Sequence, residues 1–520
     1  MIPVKGIRPD EDAGRHSNRR PAICHGRLLN WPWASFLVGI LIISLSGCTG
    51  TPLQTAATPN PAVELTPCQV ASPGATSGLD ASCGRLEVAE DPSLGNTAAA
   101  GRKISLYFAV RPASDKNPEP DPLFFIPGGP GEAATQSFPQ VALAFRKINQ
   151  KHDIVLLDQR GTGSSHPLLC PDETSAPGSE PVQALVEKCL AGLDADPRFY
   201  TTSAAVSDLE QARQALGYTQ INLYGASYGT RVALAYLRQY PDRVRTVILD
   251  GVDPPNWTLG PLSARNAQRA IDRLFDRCVH SPDCGQSFPD LPSHFQAVLQ
   301  RLEEAPIQVQ IPDPDTGAFR SIQMDRQAYA DTIFSLSYTA ETATLIPLLI
   351  DTTYRQQDYS LVARQKLLLE GQIGESISSG MRFSVICTED QPFFDQEPAS
   401  TGYLGNSFTP SFQAICSVWP HDPAPPEFKN PVVSSVPVLL ISGENDPVTP
   451  PSNAELAART LENSTQLVVP GQGHINIFRG CVPNLAAAFV ETGDPSQLNP
   501  QCAQDIQPLP FFINFSGPAP

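Results

Sequence analysis

Residues 221–230 read INLYGASYGT. An apolar run leads into Gly225-Ala226-Ser227-Tyr228-Gly229, and the alanine-rich stretch TRVALAYLRQYP (230–241) follows. The run predicts a buried strand and the stretch after it a helix. A serine on so sharp a strand-to-helix turn has a strained backbone, and only very small neighbours avoid a clash. A serine between two glycines is common by chance. The strand and helix around it make Ser227 a candidate nucleophile.

Similar runs recur along the chain. ISLYFAVR (104–111), PLFFIP (122–127), DIVLLD (153–158) and VRTVILD (244–250) are short, apolar and end in polar or turn residues. SAAVSDLEQARQALG (203–217) has a helical pattern. Near-continuous apolar strands alternating with helices predict a mostly parallel sheet covered on both faces. The rhythm stops near residue 255 and returns near 431 with VPVLLISG (436–443), SNAELAARTL (452–461), TQLVVPG (465–471) and PNLAAAFVETG (483–493). The expected organisation is therefore a core over 83–254, a largely helical cap over 255–430, and a second core segment over 431–520.

A serine hydroxyl needs a base, and the base needs an orienting acid. Of eight histidines, His16 and His25 fall in the N-terminal leader, and His280 and His294 in the expected cap. His152 precedes a strand, and His166 and His421 sit in proline-containing loops. His474, in VVPGQGHINIF, follows a late strand through a glycine-rich loop that can carry it across the carboxyl edge of the sheet. The acid belongs at another strand end. Asp446, in LLISGENDPVTP, stands 28 residues before His474; Asp250, closing VILD, is the alternative one strand earlier. The order Ser227, Asp446, His474 is that of an α/β-hydrolase fold. FFIPGGPGE supplies a glycine-rich turn after an early strand, so the N–H of Gly129, with that of Tyr228, is the expected oxyanion hole. One such donor contributes on the order of 3 kcal/mol to the barrier.

Residues 1–47 read as a lipoprotein-type signal peptide. Lys5, Arg8, Arg15, Arg19, Arg20 and Arg27 precede the apolar run SFLVGILIISLSG, which is short for a membrane span and ends in small residues. The ending LSGC resembles a bacterial lipobox, with Cys48 as the lipidated residue. The residues after Arg19-Arg20, PAIC, do not fit a twin-arginine signal. Residues 48–82, rich in Thr, Pro and Ala, read as a lipidated tether and N-terminal extension. The expected location is the bacterial cell envelope, with the chain exported and lipid-anchored to a membrane.

Cysteine usage points the same way. Apart from Cys24 and Cys48, ten of the twelve cysteines fall in sequence-local pairs. They are Cys68 with Cys83, Cys170 with Cys189, Cys278 with Cys284, Cys387 with Cys416, and Cys481 with Cys502. An oxidising compartment favours five short disulfide loops, although spacing alone does not fix connectivity. No C-x-x-C pair occurs, so no metal and no cofactor is expected. The formal net charge of −17 excludes nucleic acid as a natural partner, since phosphate binding needs a basic surface.

CGRLEVAEDP (83–92), PGGPG (127–131), LLDQRGTGSS (156–165), LYGASYGTRVALAYLRQYPDRV (223–244), GENDPVTPP (443–451) and VVPGQGH (468–474) together resemble the prolyl aminopeptidase and tripeptidyl aminopeptidase family of secreted α/β-hydrolases. The tail from VVPGQGH to Cys502 resembles the tripeptidyl type. Prolyl aminopeptidases usually have histidine before the paired glycines; here that position is Pro127. The resemblance implies attack by Ser227, proton relay by His474 and orientation by Asp446. It also implies that SVICTEDQP (384–392) holds a substrate's amine, through Glu389 and Asp390. Asp158 and Arg160 are expected to form a structural ion pair bracing the site. The substrate is a peptide or small molecule, giving two readings: an aminopeptidase releasing short peptides or single residues, possibly proline, or an esterase or amidase using the same triad. A non-catalytic binding module sits poorly with an intact Ser/Asp/His set.

Overall fold

The computed structural model describes residues 63–95, 101–170, 181–313, 316–396, 402–403, 405 and 408–518. The expected signal peptide, the expected lipidation site Cys48 and most of the expected tether lie outside the described residues. Eleven strands are present among those described: β1 (Thr66–Val70), β2 (Leu79–Ala89), β3 (Lys103–Arg111), β4 (Leu123–Ile126), β5 (Ile154–Leu157), β6 (Ile221–Ala226), β7 (Val244–Asp250), β8 (Ile307–Pro312), β9 (Phe319–Met324), β10 (Val438–Gly443) and β11 (Ser464–Val469).

Nine of them form one sheet in the order β1-β2-β3-β5-β4-β6-β7-β10-β11. From β5 to β11 neighbours run parallel, whereas β1, β2, β3 and β5 pair antiparallel. The sheet thus begins inside the stretch expected to be tether. The disulfide between Cys68 and Cys83 joins β1 to β2, and Pro67 is tolerated because β1 is an edge strand.

Successive side chains of a strand point to opposite faces, and the core divides accordingly. Phe124, Val155, Leu157, Leu223 and Leu440 join one buried cluster, packed with Val232 and Tyr236 of the helix Tyr228–Gln239. Phe125, Ile154, Leu156, Tyr224, Leu439 and Ile441 join the other, packed with Phe138 and Phe489. Because β4, β5, β6 and β10 are buried on both faces, they read as continuous apolar runs. Each fully buried Leu or Ile contributes roughly 1.5–3 kcal/mol.

Between β7 and β10 the chain leaves the sheet. It forms helices that include Pro261–His280, Leu291–Glu304, Ile346–Gln356 and Ser379–Glu389, plus the hairpin β8–β9. Ile271, Phe295, Ile333 and Ile350 build a separate core there, and Phe511 from the C-terminal tail packs into it. The tail is fixed on both sides: Phe512 N–H donates to Thr344 O at 3.1 Å, and Cys481 bonds to Cys502.

All five sequence-local cysteine pairs are disulfides. Cys170 bonds to Cys189, and Cys189 is buried in an apolar cluster with Val186, Phe383 and Trp419. Cys278 bonds to Cys284, and both lie in the inserted segment's core beside Phe275 and Phe288. Cys189 and Cys284 are thus crosslinks within apolar packing, the usual setting of a structural cysteine.

Candidate active site

The carboxyl ends of β4, β6, β7, β10 and β11 meet along one edge, where open α/β sheets bind ligands. Ser227 follows β6 directly, with φ 53° and ψ −124°, a conformation rare outside glycine and typical of a strained nucleophile turn. Its flanking glycines are sterically required. A methyl on Gly229 would lie 2.2 Å from Ile126 O, and one on Gly225 would lie 2.5 Å from Gly229 O. Ser227 N–H donates to Asp250 O at 2.8 Å, tying the turn to the end of β7.

The structure separates the two candidate acids. Asp446 Oδ2 lies 2.8 Å from His474 Nδ1. Asp250 instead accepts from Asn476 N at 2.9 Å, Ile477 N at 2.8 Å and the Tyr224 hydroxyl at 3.0 Å. It fixes the backbone just beyond the histidine and leaves the imidazole to Asp446. Asp446 is itself locked by a turn of its own making: Val448 N and Thr449 N donate to Oδ1, and Thr449 Oγ1 to Oδ2, each at 2.8 Å. Such Asx turns are local chemistry of a D-P-V-T sequence, so Thr449 was findable in principle. Tyr338, from the inserted segment, was not: its carbonyl accepts His474 N–H at 2.6 Å and its ring stands edge-on to the imidazole at 5.7 Å.

Burial opposes charge on both partners, but their attraction prevails. Asp446 is held below its ordinary range by His474 and the turn N–H groups. His474 is raised above its ordinary value by Asp446, with smaller contributions from Asp250 and Glu132. With Nδ1 directed to Asp446, Nε2 is the nitrogen left for a nucleophile. His474 Cε1 closely approaches Gly251, where a methyl would come within 3.0 Å, so serine and histidine both pack against residues 250–251. Ser227 Oγ makes no hydrogen bond with His474 among the described residues; such contacts commonly tighten when substrate binds.

The PGGPG loop abuts the serine. A methyl on Gly128 would meet Ser227 Cβ at 3.0 Å, and Gly129 has φ 108°. Tyr228 opens the helix Tyr228–Gln239, where a free N–H is available to an anion. The amides of Gly129 and Tyr228 are thus carried on segments flanking Ser227.

Glu389 and Asp390 are deeply buried at the end of the helix Ser379–Glu389. Glu389 accepts from Thr202 N at 2.7 Å, Thr202 Oγ1 at 2.8 Å and Arg231 at 3.4 Å. Thr202 Oγ1 also meets the Tyr228 hydroxyl at 2.8 Å, which connects Glu389 to the residue after the nucleophile. Asp390 is engaged by Arg231, Lys429 and Leu259 N, and Arg231 also pairs with Asp253.

The expected Asp158–Arg160 pair does not form. Asp158 accepts from Thr135 and Ser164 N–H, whereas Arg160 makes a bidentate pair with Asp208 at 2.7 Å for both contacts. The turn after β5 carries the two side chains to different neighbours, so each found its own partner. Both are buried bracing residues. Among the described residues no cluster of three or more His, Cys, Asp or Glu could hold a metal ion.

This strand-end arrangement is that of a serine hydrolase, and the chain belongs to the alpha/beta hydrolase fold family, whose model matches residues 121–480. Among curated proteins it is similar to Serine protease Hip1 of Mycobacterium tuberculosis, 24% identical over 488 residues, 85% of this chain and 91% of that one. It is also similar to Tripeptidyl aminopeptidase of Streptomyces coelicolor, 23% identical over 428 residues, 75% of this chain and 77% of that one. A shorter match, 30% identical over 136 residues, links 26% of this chain to 34% of Proline iminopeptidase of Neisseria gonorrhoeae.

Proposed function

We propose that this serine hydrolase is an exported aminopeptidase that cleaves peptides with free N-termini through an acyl-enzyme. In this reading Ser227 Oγ attacks the scissile carbonyl and passes its proton to His474 Nε2, while Asp446 stabilises the imidazolium. The N–H groups of Gly129 and Tyr228 receive the oxyanion. The imidazolium then protonates the leaving amine, the C–N bond breaks, and water, deprotonated by His474, cleaves the ester to free Ser227. Export is supported by five disulfides, which persist in oxidising compartments; lipid anchoring at Cys48 belongs to the same proposal.

The observation that carries the amine preference is the charge balance behind the nucleophile turn. Asp253, Glu389 and Asp390 face only two cations, Arg231 and Lys429, among the described residues. Burial pushes Asp253 up to about 6 and raises Glu389 as well. This surplus of negative charge behind the nucleophile turn biases the field in the cleft toward a cationic group. Glu389, linked to Tyr228 through Thr202, is the inserted-segment acid of this reading, with Asp390 behind it.

The test compares an aminoacyl coumarylamide with its N-acetyl form. Cleavage of the free-amine substrate at least ten-fold faster is expected; equal rates would leave an esterase or amidase as the better description.

A further inference from the structure

Glu132, the residue after PGGPG, was not singled out in the sequence, yet it directly follows the loop that packs against the nucleophile. That loop is clamped on both sides. On one side Gly128 packs tightly beside Ser227: a methyl there would stand 3.0 Å from Ser227 Cβ and 3.2 Å from Ala226 O. On the other, Ser378 N–H donates to Gly131 O at 2.9 Å, and Glu132 bridges to Ile377. Within the clamp the Glu132 carboxylate accepts from the Ser137 hydroxyl, at 3.1 Å from Oε2. The Glu132 N–H donates to Gly128 O at 3.4 Å, which ties the residue to the same glycine that packs beside Ser227.

Burial pushes the Glu132 carboxyl above its usual range, and His474 is the cation that pulls against that shift; no Lys or Arg ion pair to it is present among the described residues. The residue as a whole is nonetheless partly exposed. Glu389, by contrast, is almost wholly inaccessible and already accepts from Thr202 and Arg231.

We propose that Glu132 is the direct partner of the substrate's α-ammonium, and that the enzyme therefore removes single amino-acid residues rather than tripeptides. The proposal rests on the aminopeptidase reading above and names the group that touches the amine, with Glu389 bracing the turn from behind. The length follows from reach. Each additional residue moves a peptide's amine about 3.5 Å further from the scissile carbonyl, so a tripeptide's ammonium would lie roughly 7 Å beyond that of a single residue. A carboxylate held by the loop that touches Ser227 matches the shorter case, and a carboxylate–ammonium hydrogen bond is among the strong kinds.

The experiment measures kcat and KM of the full chain on alanyl, prolyl and tri-alanyl 7-amido-4-methylcoumarin and on N-acetyl-alanyl 7-amido-4-methylcoumarin. Fluorophosphonate labelling of Ser227 counts active enzyme in the wild type, E132Q, E132D and E389Q. The wild type is expected to prefer free amines, and single residues over tri-alanine. In E132Q the free-to-acetylated ratio of kcat/KM is expected to fall at least ten-fold, mainly through KM, with partial recovery in E132D. An unchanged ratio in E132Q, or a ratio that collapses only in E389Q, overturns the role of Glu132 while leaving an aminopeptidase. A wild type that prefers tri-alanine overturns the single-residue assignment even if E132Q does not fold. A wild type indifferent to acetylation overturns this proposal and the aminopeptidase reading together.

Discussion

Asp446 and Asp250 terminate neighbouring parts of one sheet edge, yet Asp446 holds the side chain of His474 at 2.8 Å and Asp250 holds the backbone beyond it. Two buried carboxylates therefore serve one histidine in different ways, and this division sets the expectations for each.

For the nucleophile and base, Ser227→Ala or His474→Ala should lower kcat by on the order of 10⁴-fold or more. Neither change removes a buried apolar group, so the melting temperature should move little. Steady-state kinetics on active-site-counted enzyme, beside thermal melts, checks both; near-normal turnover in either variant would refute the triad.

The two acids should separate by pH. Asp250 is pushed up to about 6, chiefly by burial, against about 3.9 in an unfolded chain. The folded state therefore binds this proton more tightly, and the group's stabilising contribution is lost as pH rises from about 4 to 6. The stability advantage of the wild type over Asp250→Asn should shrink across that window in urea unfolding. A difference that is flat or grows with pH contradicts the assignment.

Catalysis should titrate with His474. Its raised value keeps the imidazole protonated, and thus unable to act as base, to a higher pH than an ordinary histidine. The acid limb of kcat/KM should lie above about 6.5. In Asp446→Asn the residual activity should show that limb moved downward, and kcat should fall by on the order of 10⁴-fold. An unmoved limb would mean that another group titrates.

The Cys387–Cys416 disulfide closes a 29-residue separation, and Cys387 stands in the helix that ends at Glu389. Replacing both cysteines by serine should cost roughly 3 kcal/mol of stability, read by denaturant unfolding. A loss below about 0.5 kcal/mol, well under that expectation, would show that the helix Ser379–Glu389 is held by packing alone.

Much of the molecule was legible in the chain. Strands buried on both faces carry apolar runs, so β4 to β7 and β10 announce themselves, as does the interruption after β7. Ser227 and His474 were readable as candidates because a nucleophile turn demands glycines and a base demands a histidine at a strand end. The edge strand β1 escaped notice, because most of its residues are not buried and a disulfide substitutes for apolar pattern.

The sequence by itself determined the candidate serine and histidine, a short list of acids and the pairing candidates among the cysteines, since each depends on local chemistry or on order along the chain. Only the tertiary structure decided that Asp446 rather than Asp250 meets the imidazole, and that Asp158 and Arg160 take separate partners. It alone brought the Glu132 loop against Ser227 and set Glu389 against Thr202 and Arg231. Those relations join residues 23 to 226 positions apart, and which of several carboxylates reaches a given cation depends on register and burial, which no spacing encodes.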